Sequence, residues 1–466
     1  MFFESADFGY VRERRSELEH YCHPVEDSSS SSSELKCTRF LRYCTGRNLY
    51  LDLRRLDRVP EPIRYREDVL QQGDIGGWGC SLDRAKLASQ GDHKSPLMSW
   101  FAEIANFQVA NASSVHCDVT LDKPTFIMKL DATINMYHHF CDFLNLYISM
   151  HLSSDLSSSS SSSSPFHRDN HIILWDSIPY RSNFAPVWSA FTRNPIRTIS
   201  NFRGKRLCFR DVTFPLLPRM IFGMYYNMPL VPGCQQSGLF RAFNRHLLVH
   251  LNLSTTEDLV RQEEEKEKEV IQVTFIARST KHRRVLNQNQ LIEGLKEAVV
   301  GRTFNGHPHR VQISLVDLNH RMPFLEQANL TSRSDVLIGM HGAGLTHTLL
   351  QPDYGVLFEL HNCQDTECYR DLGRLRGTHY ITWRDDSKME VVEVVEDGSD
   401  ADRAKLGAAH AKFVNYRFDV QEFVQLALEA IEQAVRRKES FIAEFKSKWW
   451  WAEEENKRAR SPKTEL

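Results

Sequence analysis

Between residues 271 and 383 short apolar runs alternate with stretches of helical periodicity, and few folds accept that pattern. IQVTFIAR (271–278), RVQISLVD (310–317), DVLIGM (335–340), GVLFELH (355–361) and HYITW (379–383) read as strands. QNQLIEGLKEAV (288–299), PFLEQANLTSRS (323–334) and TECYRDLGRLRG (366–377) place apolar residues at helical spacing between them. Pro323 suits a first helical turn and Gly377 a helix end. Alternation at this spacing calls for right-handed βαβ units and a parallel sheet. A middle block repeats the pattern: TFIMKL (125–130) and HIILWD (171–176) as strands, NMYHHFCDFLNLYISMHL (135–152) and APVWSAFT (185–192) as helices, RLCFRDVTF (206–214) as a strand. VQEFVQLALEAIEQAVRR (420–437) is a last amphipathic helix. Two polyserine runs (28–33 and 157–164) and the charge run RQEEEKEKE (261–269) read as breaks. The expected organisation is an N-terminal extension over 1–80, α/β halves over 81–235 and 236–415, and a C-terminal helix and tail over 416–466.

The strand DVLIGM runs into HGAGLTH (341–347), a loop nearly bare of side chains. Glycine there lets a ligand reach the backbone, and N–H groups at a helix start attract anions. In a parallel sheet such a loop lies at the carboxyl edge, where ligands bind. The spacing G-x-x-G-x-G is not the dinucleotide pattern, and alone the loop equally suits a tight turn. Its neighbours point to a nucleoside diphosphate. Arg278 ends the first strand of the same sheet and Arg283 follows it, while Glu359 ends the strand after the loop and is placed to meet ribose hydroxyls. The pocket is expected to draw on Arg278, Arg283, Asn287, His341, Gly342, Ala343, Gly344, Leu345, Thr346 and Glu359. In the middle block His138 and His139 stand four and three residues before Asp142 and share helix faces with it. A histidine–carboxylate pair serves as a general base. A surface ion pair and a buried brace are the alternatives. No third ligand at a diagnostic spacing accompanies them, so no metal set is assigned.

The net charge of −2 gives no bulk electrostatic case for nucleic acid, and no apolar run is long enough for a transmembrane helix. Ten cysteines, three glycosylation sequons (at Asn111, Asn252 and Asn329) and the tail SPKTEL tilt the chain towards an oxidising, secretory compartment. Cys363 and Cys368, in HNCQDTEC, are expected to form a local bridge. The opening MFFESADFGYVRERRSELEHYC lacks the apolar stretch of a signal peptide, so the chain is expected to begin inside a longer reading frame.

KSPLMSWFAE, MKLDATINMYHHFCDFLNLYI, LLPRM, GCQQSGLFRAF, ARSTKHRRVLNQNQL, DVLIGMHGAGLTH and HYITWR together resemble glycosyltransferase family 61, over nearly the whole chain. The resemblance implies a GT-B architecture of two facing Rossmann-like domains, the first on the acceptor side and the second holding the nucleotide sugar. It implies an inverting transfer of N-acetylglucosamine from UDP-GlcNAc to Ser or Thr in folded EGF repeats, including those of Notch receptors. It also implies residence in the endoplasmic reticulum lumen, with Lys463, Thr464, Glu465 and Leu466 read by a retrieval receptor. Asp142 is then the first choice of base and His139 the second, with His138 beside them. Where animal members carry an Asp-x-Asp-like element, this chain reads Arg193-Asn194-Pro195. No cofactor is therefore expected to be required, and a divalent metal stays an open question. The rival readings are a non-catalytic nucleotide-sugar binder, a family member with another protein acceptor, and a metal-dependent hydrolase built on His138, His139 and Asp142.

Overall fold

In the computed structural model, described over residues 9–25, 32–56, 61–92, 95–153, 166–220, 223–225, 237–264, 270–393 and 410–460, the chain divides into two compact units. They are Met1–Gly233 and Cys234–Leu466. Residues 157–164, Cys234 and the tail 463–466 lie outside the described residues.

The first unit carries a mixed sheet. Four strands run parallel: β1 (Thr125–Met128), β2 (His171–Leu174), β3 (Arg197–Thr198) and β4 (Arg206–Phe214). Their spatial order is β3-β2-β1-β4, so the order reverses between β1 and β4. The helix α1 (Met136–Ser153) follows β1. Its residues 139–152 are all buried, which explains why its apolar pattern runs round the whole helix. Antiparallel strands Cys44–Asp52, Glu34–Cys37, Glu19–Pro24 and Cys80–Leu82 continue the same sheet beyond β4. The described strands between Glu19 and Leu82 therefore belong to this unit's sheet and core, where leucines 35, 49 and 51 pack with Trp100, Trp175 and Phe214. Disulfides Cys22–Cys80, Cys37–Cys44 and Cys117–Cys208 tie these strands together.

The second unit contains a five-stranded parallel sheet: β5 (Val270–Ala277), β6 (Arg310–Asp317), β7 (Val336–Gly339), β8 (Val356–Glu359) and β9 (His379–Thr382), in the order β6-β5-β7-β8-β9. VLIG, the central run, and VLFE beside it are buried at every position, as strands covered on both faces are. Helices α2 (Gln288–Ala298), α3 (Phe324–Thr331) and α4 (Cys368–Arg376) sit between the strands in the chain. Gly377 ends α4 in a left-handed conformation, φ 85°. The last helix, α5 (Val420–Arg460), runs beyond the end expected from the sequence. Phe423, Leu426, Ala427, Ala430, Ile431, Ala434 and Val435 give it one apolar stripe on the sheet's core.

The expected Cys363–Cys368 bridge does not form: both are free thiols. Cys363 lies in a left-handed turn, φ 52°, that sends its side chain into the core, where Sγ meets the Tyr416 hydroxyl at 3.7 Å. Cys368 opens α4 and is partly exposed. Only four residues of chain therefore separate two side chains bound for different places.

Candidate functional sites at the strand ends

The order of the second sheet reverses between β5 and β7, and both elements expected to line the anion pocket leave from there. β5 ends at Ala277 and hands over to Arg278, and β7 ends at Gly339 and hands over to the glycine loop. Such a switch point opens a crevice at the carboxyl edge. Arg278 Nε donates to the His282 carbonyl at 2.8 Å, which fixes the turn that brings Arg283 round. Arg283 sits in the left-handed region, φ 59°, and its Nη1 donates to the His341 carbonyl at 2.9 Å. Gly342 adopts φ 149° and ψ 170°, a region almost restricted to glycine. A Cβ built there would stand 2.5 Å from Arg278 Nη1 and 3.4 Å from Arg283 Nη1. Both guanidiniums thus lie over the bare face of Gly342.

Among the described residues, neither arginine pairs with a carboxylate, and Arg283 Nε is buried without a hydrogen-bond partner. Burial and the neighbouring charge of Arg283 pull the Arg278 guanidinium down to about 10. Two crowded cations are stabilised by an anion. The loop continues into a 3₁₀ helix over Ala343–Leu350, whose first N–H groups have no intrahelical acceptor. Ala343 and Gly344 are partly exposed there, while Leu345 N–H is already satisfied by the Gly342 carbonyl at 2.9 Å. Leu345 and Thr346 turn their side chains into the core. Gly344 has room for a side chain, with Ile276 Cγ2 at 3.6 Å from a built Cβ. The close approach belongs to Gly342.

Two other residues expected at this pocket are committed elsewhere. Glu359 is fully buried: it accepts from His341 Nδ1 at 2.8 Å and from the Tyr380 hydroxyl at 2.5 Å. It orients His341, whose carbonyl in turn receives Arg283, and its oxygens face those partners. Asn287 stands at the start of α2, yet its amide donates to the Phe418 carbonyl at 2.8 Å and its oxygen accepts the Phe418 N–H at 3.2 Å. It clamps strand Asn415–Phe418 in place.

In the first unit the sheet order reverses between β1 and β4, and a second polar cluster occupies that switch point. Asp131 follows β1, Arg219 follows β4, and His138 lies in the first turn of α1. The Asp131 carboxylate receives Arg219 through two bonds, Nε at 2.9 Å and Nη2 at 2.8 Å, and pairs with His138 Nδ1 at 2.8 Å. Burial opposes its charge, but His138 and Arg219 win and hold it below the usual carboxylate range.

Asp142 and His139 form a different pair, with no exposed side-chain surface. His139 Nδ1 meets Asp142 at 3.0 Å and its Nε2 meets the Tyr180 hydroxyl at 2.8 Å. Burial pushes the Asp142 carboxyl well up, and burial with the charge of Arg64 pushes His139 down to about 3. The Asp131 N–H donates to the Asp142 carboxyl at 3.2 Å. The geometry is that of the buried brace, set beneath the loop that presents Asp131. Asp131 and Arg219 escaped the sequence reading, although the strand-end position that singled out Arg278 applies equally to Asp131. Arg193-Asn194-Pro195 makes a turn: Asn194 Nδ2 donates to the Asn170 carbonyl at 2.7 Å and Arg193 N–H to the Arg168 carbonyl at 2.8 Å. No helix among the described residues is long and apolar enough to cross a membrane.

Comparison with known proteins gives the family. A family model, Glycosyltransferase 61, matches residues 136–357, from the start of α1 into β8. The chain is 45% identical over 442 residues to the EGF domain-specific O-linked N-acetylglucosamine transferase of Rattus norvegicus, covering 94% of this chain and 76% of that protein. It is 44% identical to the protein of that name from Gallus gallus, over 92% of this chain and 74% of the other. With the Drosophila melanogaster protein it shares 42% identity, over 94% of this chain and 78% of the other. With the transferase relatives similar across almost its whole length, the chain belongs to glycosyltransferase family 61.

Proposed function

We propose that this transferase moves N-acetylglucosamine from UDP-GlcNAc to a Ser or Thr hydroxyl of folded EGF repeats, such as those of Notch receptors, with inversion at the anomeric carbon. The names of the relatives supply the sugar and the acceptor class. The observation that carries the donor half is the Arg278–Arg283 pair over Gly342, at a switch point and beside a helix start. Backbone N–H groups and two guanidiniums suit a diphosphate, and they stabilise the charge that develops as UDP departs. In a GT-B architecture the second unit takes the donor and the first serves the acceptor. Such chemistry asks for no cofactor, and a divalent ion would have to find ligands other than Arg193-Asn194-Pro195. The three disulfides and the tail 463–466, as a retrieval address, favour the lumen of the endoplasmic reticulum.

The test is incubation with radiolabelled UDP-GlcNAc and an EGF repeat, folded or reduced and alkylated. Label on the folded repeat, released by alkaline β-elimination, is expected. Binding of UDP-GlcNAc with no transfer to either form overturns the acceptor reading in favour of a nucleotide-sugar binder.

A further inference from the structure

We propose that Asp317 is the ribose-binding residue of the nucleotide site, taking the hydroxyls that the buried Glu359 does not reach. This rests on the donor reading above and lies wholly within the second unit.

Along the carboxyl edge of this sheet the strands stand in the order β6-β5-β7-β8. Arg278 leaves β5 and the glycine loop leaves β7, so a diphosphate held by Gly342 and the two guanidiniums covers the middle pair. Neighbouring strands lie about 4.8 Å apart, so the ribose joined to that diphosphate falls over β8 or over β6. On the β8 side both carboxylates are engaged. Glu359 meets His341 and Tyr380 inside the fold, and Asp365, in the loop after β8, accepts Lys412 Nζ at 3.1 Å. On the β6 side the strand ends in Asp317, in register with Ala277, the residue before Arg278. Asp317 is partly exposed. Asn319 Nδ2 donates to its Oδ2 at 2.8 Å, which orients the carboxylate, and no donor among the described residues meets its Oδ1.

The charge of Asp317 makes sense only with a donor to meet it. Asp317 stands near enough to act on Arg278: burial first, and then Arg283, pull that guanidinium down, while Tyr369, Cys363 and Asp317 push it back up. A carboxylate so placed repels a diphosphate. An anion site is better without it unless the ligand also brings hydrogen-bond donors to that point. The two neighbouring hydroxyls of a ribose are such donors, and a carboxylate accepts them in strong, charge-assisted bonds. Dinucleotide-binding sheets take ribose on an acidic side chain in the same way.

Calorimetry on the whole chain with UDP, 2′,3′-dideoxy-UDP and inorganic pyrophosphate tests this. The wild type is expected to bind UDP about 10- to 100-fold more tightly than the dideoxy nucleotide, the factor that a charged hydrogen bond supplies. Asp317→Ala should weaken UDP by that factor. It should leave the dideoxy nucleotide and pyrophosphate at wild-type affinity or tighter, because a repelling charge is gone, and so erase the preference. Asp317→Asn, close in size and still an acceptor, should lose part of the preference, and it carries the test if the alanine variant does not fold. Arg278→Ala should weaken both nucleotides alike and keep the preference. Wild-type UDP affinity in the folded variants overturns the assignment. So does an equal loss for both nucleotides, which a merely structural residue would give. A loss seen with UDP-GlcNAc but not with UDP overturns it too, because the sugar would then occupy that point. A wild type that binds both nucleotides equally overturns the ribose assignment alone and leaves the donor reading standing. A wild type that binds no nucleotide overturns both.

Discussion

Replacing Gly342 by alanine tests the donor site at the position the geometry depends on most. The new methyl group would occupy a point 2.5 Å from Arg278 Nη1, inside any allowed contact, in a backbone region that costs a non-glycine residue about 1–3 kcal/mol. Two responses are open. The loop can change conformation, which moves the N–H groups at the start of the 3₁₀ helix, or the Arg278 guanidinium can swing away. Either response removes at least one charged hydrogen bond to a diphosphate, worth about 1.5–3 kcal/mol. At 1.4 kcal/mol per factor of ten, UDP affinity should fall about 10- to 100-fold in calorimetry. Gly344→Ala is the control: its Cβ would meet Ile276 at an ordinary 3.6 Å, so affinity should stay within about threefold of wild type. Arg278→Ala should weaken UDP by a similar factor to Gly342→Ala. The double variant should lose less than the sum, because both changes break one clasp. The reasoning is refuted if Gly342→Ala binds UDP like the wild type, or if Gly344→Ala weakens binding as much.

Cys117→Ser should cost about 2–5 kcal/mol in urea unfolding, because the Cys117–Cys208 bridge closes a span of 91 residues in the sheet of the first unit. Non-reducing peptide mapping should find Cys363 and Cys368 as thiols, and a bridge between them would contradict the turn at Cys363. Acid should destabilise the fold in part through two buried histidines. Burial holds His139 down to about 3, and burial holds His347 down to about 4 against the favourable bond to the Gly344 carbonyl. Unfolded histidines take up protons near pH 6.5. The unfolded state therefore binds more protons between that pH and the folded values, so this stability is complete above about pH 6.5 and is lost as pH falls towards 4 and 3. His347→Gln should flatten the fall of unfolding free energy between pH 6.5 and 4, and an unchanged slope would exclude His347 from it.

Periodicity and punctuation were enough for much of the second unit. Apolar runs bounded by Gly, Pro and polar residues located the five parallel strands: the inner runs VLIG and VLFE are apolar because both faces are covered, and the edge strand Arg310–Asp317 alternates instead. The same local chemistry marked Arg278, Arg283 and the glycine loop as neighbours at one edge. What the sequence leaves open is where a side chain goes once neighbouring elements compete for it. Asp142 and His139, at helical spacing, look like an acid–base pair in one dimension. Burial turns them into a brace, because α1 is covered on every side from residue 139 to residue 152. His138, one residue earlier, points about 100° away round the helix and keeps its access to solvent. Asp131 and Arg219 are 88 residues apart in the chain, and only the adjacency of β1 and β4 brings them together. Glu359 has the right spacing for a ribose partner, but the parallel neighbour β9 sets Tyr380 against it and spends its oxygens inside the fold. The cysteine pairing follows the same rule. Strand adjacency, not proximity in sequence, decides which thiols meet, so three bridges join the first unit's strands while Cys363 and Cys368 stay apart.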